Sequence, residues 1–99
     1  MEMRTLNIGR QIEVPLGIPA PMINGQPMTI GDLIVKAIPM LRSTEESYMR
    51  IWNIALEIDK ADESIELSQI DCDMLKKALT MREQAIWERV NLEKVFDGE

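Results

Sequence analysis

The chain has no histidine, and that absence removes more chemistry than any other feature of its 99 residues. The commonest general base near neutral pH and the commonest metal ligand are both missing. Every Ser-His or Cys-His nucleophile arrangement goes with them. There is one cysteine, Cys72, so an internal disulfide framework is excluded. Zinc patterns, which need several Cys or His, fail for the same reason. Cys72 lies between Asp71 and Asp73, an acidic setting poorly suited to a thiolate. The glycines are isolated, so no Gly-rich phosphate loop is present. No window approaches the ~18 consecutive apolar residues of a membrane span. The start lacks the basic, apolar and small-residue order of a signal peptide. The reading is a soluble intracellular protein with no membrane partner.

Basic residues are scarce where they would matter for nucleic acid. Residues 1–42 carry a net charge of +1, and residues 43–99 carry −7. Phosphate contacts need concentrated Lys and Arg, so the acidic half argues against direct nucleic-acid binding. It favours solubility and a basic protein partner. The apolar fraction of 45% is that of a globular chain and far above that of a disordered one. The length fits a single domain, 1–99, divided into a β-rich, proline-rich segment (1–28) and a helical segment (29–99).

Four of the five prolines fall in residues 1–28, which carry no helical period. Leu6 and Ile8, then Ile12, Val14 and Leu16, alternate as strands do. Gly9-Arg10 is placed to turn one strand, Thr5 to Ile8, into the other, Gln11 to Leu16. Asn24-Gly25 is a strong two-residue hairpin signal. Thr29 and Asp32 then cap a first helix over Thr29 to Leu41, which Pro39 should end or kink near Ile38. That helix is nearly apolar and reads as a buried element.

Ser43 to Ala61 carries the clearest period. Ser43 and Glu46 have capping-box spacing, and Glu46 and Arg50 stand four apart as a favourable pair. Tyr48, Ile51, Trp52, Ala55, Leu56 and Ile58 form a broad stripe, with Tyr48 and Trp52 read chiefly as core. Ser64 to Leu67 alternates as a short strand. Ser68 with Asp71 caps a third helix whose stripe is Ile70, Met74, Leu75 and Leu79, with Asp73–Lys77 as an exposed pair. Thr80 with Glu83 suggests a break and a second capping box, and a fourth helix carries Trp87, Val90, Leu92, Val95 and Phe96. The alternative is one helix from Gln69 to Val95, about 40 Å long.

The fold class is therefore α+β, a short N-terminal antiparallel β-hairpin region followed by three or four packed helices. Candidate sites are few. Asp59, Asp62 and Glu63 could share a helical turn, but a solvated acidic helix end explains them better than Mg²⁺. An EF-hand starting at Asp59 fails, with Ser64 at its sixth position and Ile70 at its twelfth. No catalytic, cofactor or metal residues are assigned. The eight methionines are scattered and read as gap-fillers. Trp87, Val90, Phe96 and Tyr48 are the candidate interface, with core and interface equally open for Trp87.

Several stretches together resemble a known group. They are Asn24-Gly25-Gln26-Pro27-Met28-Thr29-Ile30-Gly31-Asp32-Leu33, Arg50-Ile51-Trp52-Asn53-Ile54-Ala55, Ile65-Glu66-Leu67-Ser68 and Ala85-Ile86-Trp87-Glu88. In this order the chain resembles small bacteriophage and prophage proteins of uncharacterised function. Its proline-rich segment from Pro15 to Pro21 departs from their pattern. The resemblance implies a virion-assembly, tail-related or host-interaction accessory role in a bacterial cytoplasm or on a virion. It carries no catalytic residues over. The expectation is a non-enzymatic protein acting by protein–protein contact, with a homodimer the first partner and a phage or host protein the second. The alternatives are an acidic inhibitor of a basic nucleic-acid-binding protein and, less favoured, a metal-dependent enzyme.

Overall fold

A strand does form at the N-terminus, but it lies two residues earlier than Thr5 to Ile8, and its partner comes from the other half of the chain. In the computed structural model, which describes residues 2–15, 17–41 and 47–97, strand β1 is Met3–Leu6. It pairs antiparallel with β4, Ile65–Ser68, in the register Met3 opposite Ser68 and Leu6 opposite Ile65. The expected hairpin between residues 5–8 and 11–16 does not form. Alternation shows that a segment has two faces; it does not say which strand will pair with it. Gly9 instead presses its backbone against the loop before β4. Its N–H donates to Glu63 O at 2.9 Å, and a Cβ there would stand 2.8 Å from Asp62 O.

The chain then runs along the start of the first helix. Helix α1 is Ile30–Ala37. Ile30 N–H donates to Arg10 O and Gly31 N–H to Ile8 O, both at 2.8 Å, so the strand-like segment serves donors that a helix N-terminus leaves unmatched. The cap itself is the expected box: Asp32 N–H donates to Thr29 Oγ1, and Thr29 N–H donates to Asp32 Oδ2. Between these pieces lies the expected hairpin. Strands β2 (Met22–Ile23) and β3 (Gln26–Pro27) flank Asn24 at φ 50° and Gly25 at φ 77°, the left-handed pair that a two-residue turn demands. Pro39 ends α1 as expected, tightening Ile38–Met40 into a 3₁₀ turn.

Helix α2 is Tyr48–Lys60. The Ser43–Glu46 cap and the Glu46–Arg50 pair lie outside the described residues, as does Leu16. Strand β4 leads directly into α3, Gln69–Thr80, where Asp71 N–H donates to Ser68 Oγ at 3.1 Å as the capping spacing requires. The break after Thr80 is real, and α4 is Ile86–Phe96. The expected Thr80–Glu83 box is not what makes it. The Thr80 hydroxyl donates back to Lys76 O within α3, and α4 starts at Ala85 without a side-chain cap.

Helix α1 packs against α2 and α4, and α3 packs against α4 and the β1–β4 ribbon. One buried cluster links them, running from Leu6 through Ile34, Ile58, Leu75 and Leu92 to Phe96. The apolar first helix is the buried element its sequence suggested: Ile30, Leu33, Ile34 and Ala37 are all inside. The other helices bury part of each expected stripe, Ile51, Ala55 and Ile58 on α2, Leu75 and Leu79 on α3, Leu92, Val95 and Phe96 on α4, and leave the rest half-buried or exposed. In α3 the inward side is Asp71, Cys72, Leu75 and Leu79, whereas Ile70 is 69% exposed. The Ser68 cap and the β4 pairing fix where α3 begins, and that sets its rotation. Asp73 accepts from Gln69 Nε2 in place of the expected Lys77. No helix among the described residues is long and apolar enough to cross a membrane.

Candidate functional site: an apolar helix face and a small cationic pocket

Helix α2 has more apolar surface than its neighbours cover. Ile51, Ile54, Ala55 and Ile58 are buried against the core. Tyr48, Met49, Trp52 and Leu56 are large, apolar and 45–59% exposed. At about 100° per residue these four fall within an arc of about 100°, beside the buried face. Tyr48 and Trp52 are thus corrected from core to surface. The physical reason is width. The apolar residues of α2 extend over about 220° of its circumference, more than α1 and the 3₁₀ turn behind it can cover.

The four candidate interface residues do not share one fate. Tyr48 is 50% exposed on α2 and Val90 is 43% exposed on α4. Trp87 is half-buried and packs on the core. Phe96 is 1% exposed, enclosed with Leu92 and Val95, and has no surface left for a partner. Helix α4 has apolar residues on all sides, so its sequence could not say which turn in. The outward apolar pair on α4 is Ile86 and Val90.

Two polar ties hold the helices in place. Arg50 of α2 makes a two-pronged contact with Asp71 of α3, Nε to Oδ1 and Nη2 to Oδ2, both at 2.6 Å. Arg50 holds the Asp71 carboxyl below its ordinary range, and Asp71 in turn raises Arg50. The second tie is Asn91 on α4, only 2% exposed. Its amide accepts from Glu13 N–H at 2.9 Å and donates to Glu13 O at 2.8 Å, and it also donates to Trp87 O at 2.7 Å. The Glu13 carboxylate meets Lys94 Nζ at 2.8 Å and Arg10 Nη2 at 2.6 Å, which together hold its pKa down to about 2. Neither tie was read from the sequence. Asn91 alone left a hint, as a polar residue between Val90 and Leu92 and four residues from Trp87 and Val95.

The chemistry of the remaining candidates is bland. Cys72 is 1% exposed, and burial pushes its thiol up, away from reactivity. Among the described residues no three acidic or Cys side chains are grouped to hold a metal ion.

A pocket of about 270 Å³ opens between the end of α1 and the start of α4. Met28, Leu33, Ala37, Met40 and Trp87 supply apolar wall, and Lys36, Arg82 and Glu88 supply charge. Arg82 Nη2 pairs with Glu88 Oε2 at 2.8 Å, while Arg82 Nε is buried with no hydrogen-bond partner among the described residues.

Comparison with protein-family models, curated proteins and solved structures gave no match.

Proposed function

We propose that the chain is a non-enzymatic interaction protein that forms a homodimer through the outer face of α2. The observation that supports this is the exposed row Tyr48, Met49, Trp52 and Leu56 on one side of an otherwise well-packed helix. Isolated exposed apolar residues are ordinary, but a contiguous helical stripe with two aromatics is the kind of surface that binds another protein. A second copy is the partner because an apolar stripe is complementary to itself across a twofold axis. The chain's net charge of −6 would oppose a polar self-contact, and this stripe carries one charge, Asp59, in line with it about one turn past Leu56. A phage or prophage accessory role, in the host cytoplasm or on a virion, is proposed on the sequence resemblance alone.

The test is absolute molar mass by light scattering behind a sizing column, for the natural chain, Trp52→Ala and Val90→Ala, at low and high salt. A dimer indifferent to salt, lost in Trp52→Ala and kept in Val90→Ala, is the expected result. A monomer at every concentration and salt would overturn the homodimer. A dimer lost only in Val90→Ala would move the interface to α4. Complex formation with a basic protein that weakens steeply with salt would instead favour the acidic-inhibitor reading.

A further inference from the structure

We infer that the pocket between α1 and α4 binds a small aromatic or branched aliphatic carboxylate. This inference does not depend on the α2 interface, which lies on another helix.

The walls define the body of the ligand. Leu33 and Ala37 from α1, Met28 before it and Met40 after it face the Trp87 indole. Methionine thioethers and an indole make an adaptable, polarisable lining suited to a flat apolar group. At about 270 Å³ the space lies just below the ~300–1,000 Å³ of sites for drug-sized ligands, so it fits a single ring with a short arm.

The charges define the head group. Lys36, Arg82 and Glu88 leave the lining with one positive charge in excess, on a chain whose net charge is −6. Arg82 spends Nη2 on Glu88, and its buried Nε has no acceptor. That Nε is closed to solvent and so out of a ligand's reach, and Nη2 is taken by Glu88, which leaves Lys36 as the cation a carboxylate can meet. Lys36 has no ion-pair partner among the described residues and stands exposed in the last turn of α1, placed to meet the same anion. A neutral ligand of the same shape would leave Lys36 unmet. A dianion would be opposed by Glu88.

The carboxylate has two sources with the same chemistry, a free acid and the C-terminal residue of a peptide. The experiment is a titration of the ¹⁵N-labelled full chain, following the Trp87 indole N–H, which the Trp52→Phe variant assigns. Phenylacetate is the probe, 2-phenylethanol its neutral counterpart, and N-acetylphenylalanine with its C-terminal amide the peptide mimics. Saturable movement of the Trp87 signal with millimolar phenylacetate is expected, together with much weaker binding of the alcohol. Lys36→Met, an exposed change that spares the core, should weaken phenylacetate by about fivefold. N-acetylphenylalanine binding as well as phenylacetate, with its amide excluded, would identify the peptide terminus as the source; its exclusion would identify the free acid. A Trp87 signal that stays fixed under phenylacetate would overturn the site. Equal binding of acid and alcohol, or an unchanged affinity in Lys36→Met, would overturn the anion recognition.

Discussion

Asn91 on α4 holds both backbone groups of Glu13, accepting from its N–H at 2.9 Å and donating to its C=O at 2.8 Å. The side-chain amide thereby acts as a substitute strand for Glu13, just past the Gln11–Thr29 bridge. Replacing Asn91 by Ala would strip both bonds and open a void at a site only 2% exposed. Unsatisfied polar groups of this kind cost ~1–3 kcal/mol each, so the expected loss is about 2–4 kcal/mol. Chemical denaturation read by circular dichroism should show it as a lower midpoint at unchanged slope. A loss within experimental error would mean that water serves Glu13 equally well.

The same residue sets an acid response. Lys94 first, then Arg10, hold the Glu13 carboxyl down from 4.5 to about 2. A depressed folded pKa contributes stability that is complete above the ordinary value and lost as pH falls through the folded one. The stability difference between the natural chain and Glu13→Gln should therefore be constant above pH 4.5 and shrink towards pH 2. Because the groups are solvated, the difference should also shrink with added salt. A difference that does not change between pH 4.5 and pH 2 would show that the two cations do not act on Glu13 in solution.

What the sequence made legible shares one property, short range. The Thr29–Asp32 box, the Asn24-Gly25 turn, the Pro39 stop and the Ser68–Asp71 cap each join residues within about four positions, where local sterics and one hydrogen bond decide the outcome. The pairing of Met3 with Ser68, of Arg50 with Asp71 and of Glu13 with Asn91 joins distant segments, and no local rule selects the partner. The buried face of each helix was legible only in part, for a related reason. The stripe of α2 was wide enough to offer two faces, and the position of α1 chose between them. For the same reason Trp52 went from core to surface while Phe96 went from candidate interface to core. The pocket is assembled from Lys36, Arg82 and Trp87, residues that nothing in their own neighbourhoods connects.

Gly9 shows how a glycine can be misread. Its place beside Arg10 suggested a hairpin turn, yet its φ is not in the left-handed region. What it supplies is clearance: an added Cβ would meet Asp62 O at 2.8 Å and Glu63 Cα at 2.9 Å, both backbone atoms. Gly9→Ala should force β1 and the loop before β4 apart and cost about 1–3 kcal/mol, the usual range for an overpacked site. Thermal unfolding should fall accordingly, while Gly17→Ala, with open space around its Cβ position, should show only the strain of its positive φ. Faster amide exchange at Gly9 in the alanine variant would locate the damage. An unchanged melting temperature would mean the loop moves aside without cost.

Phe96 and Trp52 offer the sharpest contrast in the molecule, because similar chemistry sits in opposite environments. Phe96 is 1% exposed and Trp52 is 47% exposed. Truncating a buried Phe costs about 3–5 kcal/mol, a large share of the ~5–15 kcal/mol that holds a small domain together. Phe96→Ala should therefore lower the melting temperature sharply whether the chain is monomeric or dimeric. Trp52→Ala should cost far less than Phe96→Ala in a dilute monomer, since about half of the indole is already in water. In the proposed dimer it should remove the dependence of melting temperature on protein concentration, because association stabilises the folded chain by mass action. Melting curves of both variants over a wide concentration range separate the two effects. If Trp52→Ala destabilised the dilute chain as much as Phe96→Ala does, Trp52 would have to be packed inside the protein, and the α2 face could not be a contact surface.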